Sequence, residues 1–114
     1  MSQPQIISEL QIREAIDAAI AEHRVMLFMK GTPEQPQCGF SARTVQALRS
    51  VDADFAAMNI LPDPRIREVL SKRSEWPTIP QLFIDGEFVG GADITLELFD
   101  SGELAELVKA PAEG

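Results

Sequence analysis

Residues 81–90 read Gln-Leu-Phe-Ile-Asp-Gly-Glu-Phe-Val-Gly, with two short runs rich in apolar residues on either side of Asp85-Gly86. An Asp-Gly pair suits a two-residue hairpin turn, because both central positions of that turn take positive φ. The stretch therefore predicts a β-hairpin with strands over 81–84 and 87–90. It is the best hairpin signal in the chain.

Upstream of the hairpin, the spacing of apolar residues predicts a helix followed by a strand. Ser8 and Gln11 form a capping-box pattern, and apolar residues recur after them with helical spacing to about His23. The run Val25–Lys30 then has the composition of a fully buried strand. The loop after this strand contains two prolines, which end it.

The middle of the chain predicts two more helices with a strand between them. One helix begins just after Cys38 and runs toward Arg49, and residues 53–60 are a weaker candidate for a strand. Asp63 as N-cap and Pro64 in the first turn open the next helix.

Two further helices are expected after the hairpin. Asp93 is the expected N-cap of the first, and Gly102 ends it before a last short helix. The predicted order αβαβαββαα gives an α/β fold, with one small mixed sheet that carries helices on both faces. A chain of 114 residues has room for a single domain, 1–114, with its core at about 9–109.

The charge of the chain excludes some classes of partner. Ten basic residues against 18 acidic ones give a net charge of −8, which argues against nucleic acid and against an anionic membrane. Residues 85–114 hold eight acids and one base, so most of the excess lies there. A short basic cluster before them is typical of a solvated helix face: Arg65, Arg67, Lys72 and Arg73.

No segment of the sequence has the pattern of a membrane anchor or a secretion signal. The longest apolar run is far shorter than the ~20 residues of a membrane span, and residues 1–8 contain no basic start of a signal peptide. An Arg-rich, acid-poor stretch typical of organelle import is missing as well. We therefore expect a cytoplasmic protein that binds no membrane.

Cys38 is the single cysteine of the chain, and His23 is its single histidine. One thiol permits no disulfide within the chain, and these two residues cannot complete a metal site by themselves. Redox or metal chemistry must therefore borrow ligands from outside the chain. An unpaired thiol also fits a reducing compartment.

Cys38-Gly39-Phe40-Ser41 stands where the second helix is expected to begin. A sulfur there meets unpaired N–H groups and the positive end of the helix dipole, which favour the thiolate and lower its pKa. Lys30, at the end of the preceding strand, would lower that pKa further. The alternative is a buried and inert cysteine, as most lone cysteines are.

Four blocks of residues stand out along the chain: Lys30–Pro33, Cys38–Ser41, Trp76–Phe83 and Gly90–Ile94. In order and spacing they resemble the monothiol glutaredoxins of the Cys-Gly-Phe-Ser type, and the similarity covers roughly residues 9–109. The resemblance implies a thioredoxin fold with a four-stranded sheet, glutathione as ligand, and a [2Fe–2S] cluster held between two subunits of a homodimer. Each subunit would supply Cys38 and one bound glutathione, because such a cluster takes four soft ligands.

The resemblance also implies which residues hold glutathione. Lys30 and Arg67 would meet its glycyl carboxylate, and the backbone of Ile79 would pair with its cysteinyl part. The γ-glutamyl end would lie on three consecutive residues: Gly91, Ala92 and Asp93.

Several of these residues also have a simpler interpretation. Arg67 fits equally well as a solvated helix residue. Asp93 fits as a helix cap, although an exposed helix start also binds carboxylates. The step Ile79–Pro80 resembles the cis-proline step of the family, which the sequence alone does not establish. Trp76 is expected to pack without taking part in the chemistry.

Two functions of different kinds fit these residues. In the first, which we favour, the protein is a carrier that passes its cluster to apo-proteins, with a BolA-type protein as a further partner that the resemblance implies. In the second, it is a glutathione-dependent oxidoreductase whose Cys38 thiolate attacks a protein–glutathione mixed disulfide. If the first holds, at most weak oxidoreductase activity is expected.

The sequence departs from many members of the family at one position. They carry a second cysteine where this chain has Ala92, so a disulfide cycle within the chain is excluded. Ser41, in place of the second cysteine of dithiol relatives, suits either function. The stretch Thr32–Pro36 resembles an insertion that dithiol relatives lack, and it would alter how a glutathionylated Cys38 is presented.

Overall fold

The computed structural model describes residues 8–109, and its order of elements is the predicted one. The elements are α1 (Glu9–Glu22), β1 (Val25–Met29), α2 (Gly39–Ser50), β2 (Ala56–Asn59), α3 (Pro64–Ser74), β3 (Gln81–Ile84), β4 (Glu87–Gly90), α4 (Ala92–Ser101) and α5 (Glu103–Val108). No helix within 8–109 is long and apolar enough to cross a membrane.

The four strands form one mixed sheet in the order β2-β1-β3-β4. β1 is parallel to β2 and antiparallel to β3, and β3 is antiparallel to β4. The predicted hairpin is confirmed, with Asp85 at φ 53° and Gly86 at φ 82° in its turn. The α/β class and the mixed sheet are therefore as expected.

β1 is the central element of the core, because all five of its residues are buried. Successive strand side chains point to opposite faces, so β1 packs against helices on both sides. On one face Met26 and Phe28 join the buried residues of α1 and α3. On the other, Leu27 and Met29 join those of α2 and α5.

Helix α1 begins with the predicted capping box. The backbone N–H of Gln11 donates to Ser8 Oγ at 3.1 Å, and the Ser8 N–H donates to Gln11 Oε1 at 2.9 Å. Asp63 caps α3 through its Oδ1, which accepts from the Arg65 N–H at 3.0 Å. These two predicted helix starts are confirmed.

The predicted start of α4 is wrong by two residues. Gly91, and not Asp93, is the N-cap, and the helix begins at Ala92. The reason lies in Gly90, which has a φ of 154° and no side chain: a Cβ there would lie 2.6 Å from Cβ of Ile94. The first turn of α4 therefore packs directly against the end of β4, and Asp93 lies within that turn.

The candidate strand over 53–60 is confirmed in existence but is shorter than expected. β2 begins at Ala56, and its four residues are half-buried because it forms one edge of the sheet. Partial burial also explains why its apolar pattern was weak.

The predicted basic cluster of α3 is not a single cationic patch. Arg65 forms an ion pair with Asp63 at 2.8 Å, and Arg73 forms one with Asp17 of α1 at 2.7 Å. Arg67 donates instead to the carbonyl of Pro77 at 3.2 Å. The three arginines of this cluster therefore have separate local partners.

Arg24 ties three parts of the fold together. Its guanidinium holds the Asp85 carboxylate of the hairpin turn, with Nε 2.7 Å from Oδ1, and that hydrogen bond lowers the pKa of Asp85. It also donates to the carbonyls of Leu107 and Val108 at 3.0 Å each. A cation at the last carbonyls of α5 is favourable, since that end of a helix carries partial negative charge.

Gly102 ends α4 with a φ of 85°, and a Cβ at this position would meet nothing within 4 Å. Gly102→Ala should therefore cost about 1 kcal/mol of unfolding free energy, entirely from the left-handed backbone. Gly102→Asn should cost less, because asparagine tolerates this conformation. Urea unfolding of the three proteins measures both values, and an alanine variant as stable as wild type would contradict this interpretation of the helix end.

Candidate functional site

The sheet topology brings the predicted site residues to one end of the sheet, where β1 and β4 finish and β3 begins. β1 and β3 are antiparallel, and Phe28 pairs with Gln81, so the end of β1 lies beside the start of β3. Gly90, at the end of β4, pairs with Leu82 at the same end of the sheet. The loop that leads to Cys38 and the start of α4 therefore both leave the sheet there.

Cys38 is the N-cap of α2 and is partly exposed, which rules out the buried, inert cysteine. Its pKa is lowered, most strongly by the backbone N–H of Ser41 and also by the N–H of Phe40. Burial opposes this lowering and is the second-largest effect after the Ser41 N–H, while the positive charge of Lys30 and the Ser41 hydroxyl lower the pKa further. The predicted order, helix start first and Lys30 second, agrees with this.

Ser41, at the fourth position of the motif, is fully buried. Its Oγ accepts a hydrogen bond from the backbone N–H of Lys30 at 3.2 Å. The hydroxyl therefore links the start of α2 to the end of β1.

The loop between β1 and Cys38 is closed by its own hydrogen bonds. The Gln37 N–H donates to the Lys30 carbonyl at 2.9 Å, and Gly31 N–H donates to Asn59 Oδ1 at 2.9 Å. Gly31 has a φ of 89°, and a Cβ there would lie 2.4 Å from the carbonyl oxygen of Gln35. Only glycine fits this position, so the backbone between β1 and Cys38 is tightly held.

A cavity of about 340 Å³ lies at the same end of the sheet. It is lined by Phe40, Trp76, Thr78, Ile79, Pro80, Gly91, Ala92, Asp93 and Ile94. The structure thus brings together four of the predicted binding residues from two distant parts of the chain. The peptide bond Ile79–Pro80 is cis, as the resemblance implies.

Three predicted residues do not line this cavity: Cys38, Lys30 and Arg67. Cys38 is nevertheless two residues from Phe40, which does, and Lys30 is close enough to lower the pKa of Cys38. Arg67 is exposed and donates to the Pro77 carbonyl, two residues before Ile79. These residues therefore flank the cavity.

Gln81 is a residue of this region that the sequence analysis missed. It is fully buried, and its Nε2 donates to the carbonyls of Trp76 at 2.9 Å and Thr78 at 3.2 Å. Its Oε1 is buried without a partner among the described residues. The signal in the sequence was a long polar side chain at the start of a buried strand. Burying such a group costs free energy unless it forms hydrogen bonds. Gln81 holds the loop that carries Ile79.

A larger cavity, of about 500 Å³, lies between α1 and α3, away from the predicted site residues. It is lined by Glu9, Arg13, Asp17, Val69, Lys72 and Arg73. Asp17 and Arg73 neutralise one another in it, and it holds neither a thiol nor a helix start aimed at a ligand. Within residues 8–109, no three His, Cys, Asp or Glu side chains group in a way that could hold a metal ion.

Comparisons with known proteins agree with this geometry. The family model described as Glutaredoxin matches residues 25–89. Glutaredoxin 4 of Escherichia coli K12 is 50% identical over 99 residues, which are 87% of this chain and 86% of that protein. The chloroplastic monothiol glutaredoxin-S7 of rice is 48% identical over 99 residues, and there the chain spans only 59% of the relative's length.

A solved structure gives the same result. The solution structure of reduced apo GrxS14 from poplar is 52% identical and superposes with a TM-score of 0.74. The match covers 83% of this chain and 87% of that one. The thioredoxin fold expected from the four sequence blocks is therefore confirmed.

The rate at which Cys38 is alkylated should level off at a lower pH than for a free cysteine, because the thiolate forms more readily at the start of α2. Lys30→Met should shift the inflection upward by only part of this difference, since the helix N–H groups remain. Measuring the rate with iodoacetamide against pH tests both statements. An inflection at or above that of free cysteine would contradict the role of the helix start.

Proposed function

Since the chain belongs to the glutaredoxin family, and to its monothiol class, we propose that it carries a [2Fe–2S] cluster. In this proposal the cluster is the cargo of a homodimer and is passed on to apo-proteins. The observation that carries the proposal is a single partly exposed thiolate at a helix start, beside a cavity suited to glutathione. A BolA-type protein would be a further partner.

The ligand chemistry supports a shared cluster. A [2Fe–2S] cluster takes four soft ligands, and the chain contributes one, Cys38. Two chains and two glutathione thiolates make up the set. The lowered pKa of Cys38 supports this role, because a coordinating thiol must be deprotonated.

The residues around the cavity support glutathione as the second ligand. Its γ-glutamyl end carries an ammonium and a carboxylate, which suit the exposed Asp93 side chain and the free N–H groups at the start of α4. The backbone of Ile79 would pair with the cysteinyl part. Lys30 and Arg67 would meet the glycyl carboxylate, for which Arg67 would exchange its contact with the Pro77 carbonyl.

Exposed apolar side chains around the cavity support a second subunit. Phe40, Trp76 and Ile94 are 54%, 38% and 37% exposed, and all three line the cavity, with Phe40 two residues from Cys38. Apolar surface rimmed by polar groups is typical of a site that another protein covers. A second copy seated there would shield the cluster from water.

A glutathione-dependent oxidoreductase is the alternative that the lowered pKa of Cys38 also favours. The Cys38 thiolate would attack the glutathione sulfur of a mixed disulfide, form a Cys38–glutathione disulfide and release the target as a thiolate. A second glutathione thiolate would then attack that disulfide, releasing Cys38 and oxidised glutathione. No second cysteine is needed for this cycle.

The surroundings of Cys38 favour the carrier over the enzyme. The loop before Cys38 is held by hydrogen bonds at Gly31 and Gln37, and Ser41 links the start of α2 to the Lys30 N–H. Cys38 is thereby held in a fixed position, which preorganises its sulfur as one ligand of a shared cluster.

Cys38→Ser should abolish cluster binding while the protein still folds, because a hydroxyl is not a soft ligand and the side chain is partly exposed. Anaerobic reconstitution with iron, sulfide and glutathione, followed by visible absorption and size-exclusion chromatography, is the measurement. Wild type should become coloured and dimeric only when glutathione is present. A coloured Cys38→Ser protein, or a wild type that takes up no cluster, would refute the carrier.

Ser41→Cys separates the two functions. It supplies a second thiol three residues after Cys38, but at a fully buried position that bonds the Lys30 N–H. The carrier therefore predicts little gain in glutathione-linked disulfide reduction and continued cluster binding under reducing conditions.

Ser41→Ala, which removes the hydroxyl without adding a thiol, is the matched control for this change. A Ser41→Cys variant that reduces disulfides rapidly and no longer takes up a cluster would reverse the preference and favour the enzyme.

A further inference from the structure

Trp76 is held firmly at the edge of the cavity. Its backbone N–H donates to the Ser71 carbonyl at 3.2 Å, and its carbonyl accepts from Gln81 Nε2 at 2.9 Å. Its ring packs against Phe88, with 5.8 Å between the ring centroids. The backbone of Trp76 is thus held by two hydrogen bonds, and its ring is held by packing against Phe88.

The indole nevertheless remains open toward the cavity. The residue is 38% exposed and forms part of the lining, together with Gly91 and Asp93. Within the described residues, both hydrogen bonds of Trp76 come from its backbone, so its indole N–H is left as a donor.

The position of Gly91 locates this donor. A Cβ on Gly91 would lie 3.2 Å from Nε1 of Trp76 and 3.3 Å from the Pro80 carbonyl oxygen. The indole nitrogen therefore lies against the backbone at the N-cap of α4. The first residues of α4, whose N–H groups have no partner within the helix, line the same cavity.

We propose that Trp76 determines specificity for the γ-glutamyl arm of the ligand: its ring is a wall for that arm, and its indole N–H donates to the α-carboxylate. This inference rests on the proposed binding of glutathione. It differs from the expectation that Trp76 only packs. The carboxylate would then be shared between the indole N–H and the first turn of α4, while the Asp93 side chain meets the ammonium.

A packing role alone does not account for these features. If Trp76 only filled space, any large apolar side chain would serve at this position. Its indole N–H would then have no reason to lie beside the start of α4. Tryptophan combines an apolar face with a donor at one edge, which is why it is favoured where a ligand is apolar on one side and charged at its end.

Trp76→Phe tests the proposal, because it keeps a ring against Phe88 and removes the donor. The probes are S-methylglutathione and S-methylcysteinylglycine, which lacks the γ-glutamyl arm; the methyl group prevents disulfide formation with Cys38. Calorimetric titration should give about ten-fold weaker binding of S-methylglutathione by the variant, in line with the loss of one hydrogen bond to a charged group. Binding of S-methylcysteinylglycine should be unchanged.

Phe99→Leu is the matched control, since it changes an aromatic side chain of α4 that neither lines the cavity nor belongs to the ring pair of Trp76 and Phe88. It should leave both affinities, and therefore their ratio, as in wild type. Equal losses for both ligands in Trp76→Phe, or no loss at all, would overturn the proposal while glutathione binding stands. A wild type that binds no S-methylglutathione would overturn the proposed function and this inference together.

The wild-type protein offers a direct readout that requires no variant. Trp76 is the only tryptophan in the chain, so all indole fluorescence reports on this position. S-methylglutathione should move the emission to shorter wavelength as the arm covers the ring, and S-methylcysteinylglycine should not. An emission spectrum that both probes change alike would count against contact with the γ-glutamyl arm.

Discussion

Complete burial of one strand is the constraint on which the rest of the structure depends. β1 has five consecutive buried residues, so both of its faces must be covered by helices and both of its edges by other strands. The polar ends of β1 are consequently where the chain reaches the surface. At one end Arg24 donates hydrogen bonds to the hairpin turn and to α5. At the other end Lys30 leads into the loop before Cys38.

The site follows from the same strand arrangement. Because β3 runs antiparallel to β1, residues just before β3 lie beside residues just after β1. Because β4 returns antiparallel to β3, the start of α4 lies at the same end of the sheet. Ile79, Cys38 and Asp93 are far apart in sequence, and a hairpin next to a central strand is enough to bring their segments together.

The elements that the sequence predicts well are those with a local physical cause. The Asp85-Gly86 turn, the capping box at Ser8 and the cap at Asp63 each depend on a few neighbouring residues, and the structure confirms them. The start of α4 depends on how Gly90 packs against Ile94. The spacing of apolar residues along the chain does not predict such a contact.

Roles that depend on distant residues were likewise beyond the sequence. Gln81 is identified by two carbonyls that the loop brings within reach. The role proposed for Trp76 rests on its position against Gly91. For Cys38 the cause is local, because the N–H groups that lower its pKa follow it in the chain. The direction of this shift could therefore be predicted from the sequence.

The cause of that low pKa also bears on what the thiolate is for. A thiolate stabilised by N–H groups loses intrinsic nucleophilicity as its pKa falls, so its advantage in disulfide exchange is partly offset. Coordination to iron also requires the deprotonated sulfur. Since the strongest contribution comes from the Ser41 N–H, which any sulfur at this N-cap would meet, the chain favours the thiolate of Cys38 without a general base. This local origin of the low pKa supports the proposed role of Cys38 as a ligand, because the helix start alone makes the thiolate easier to form.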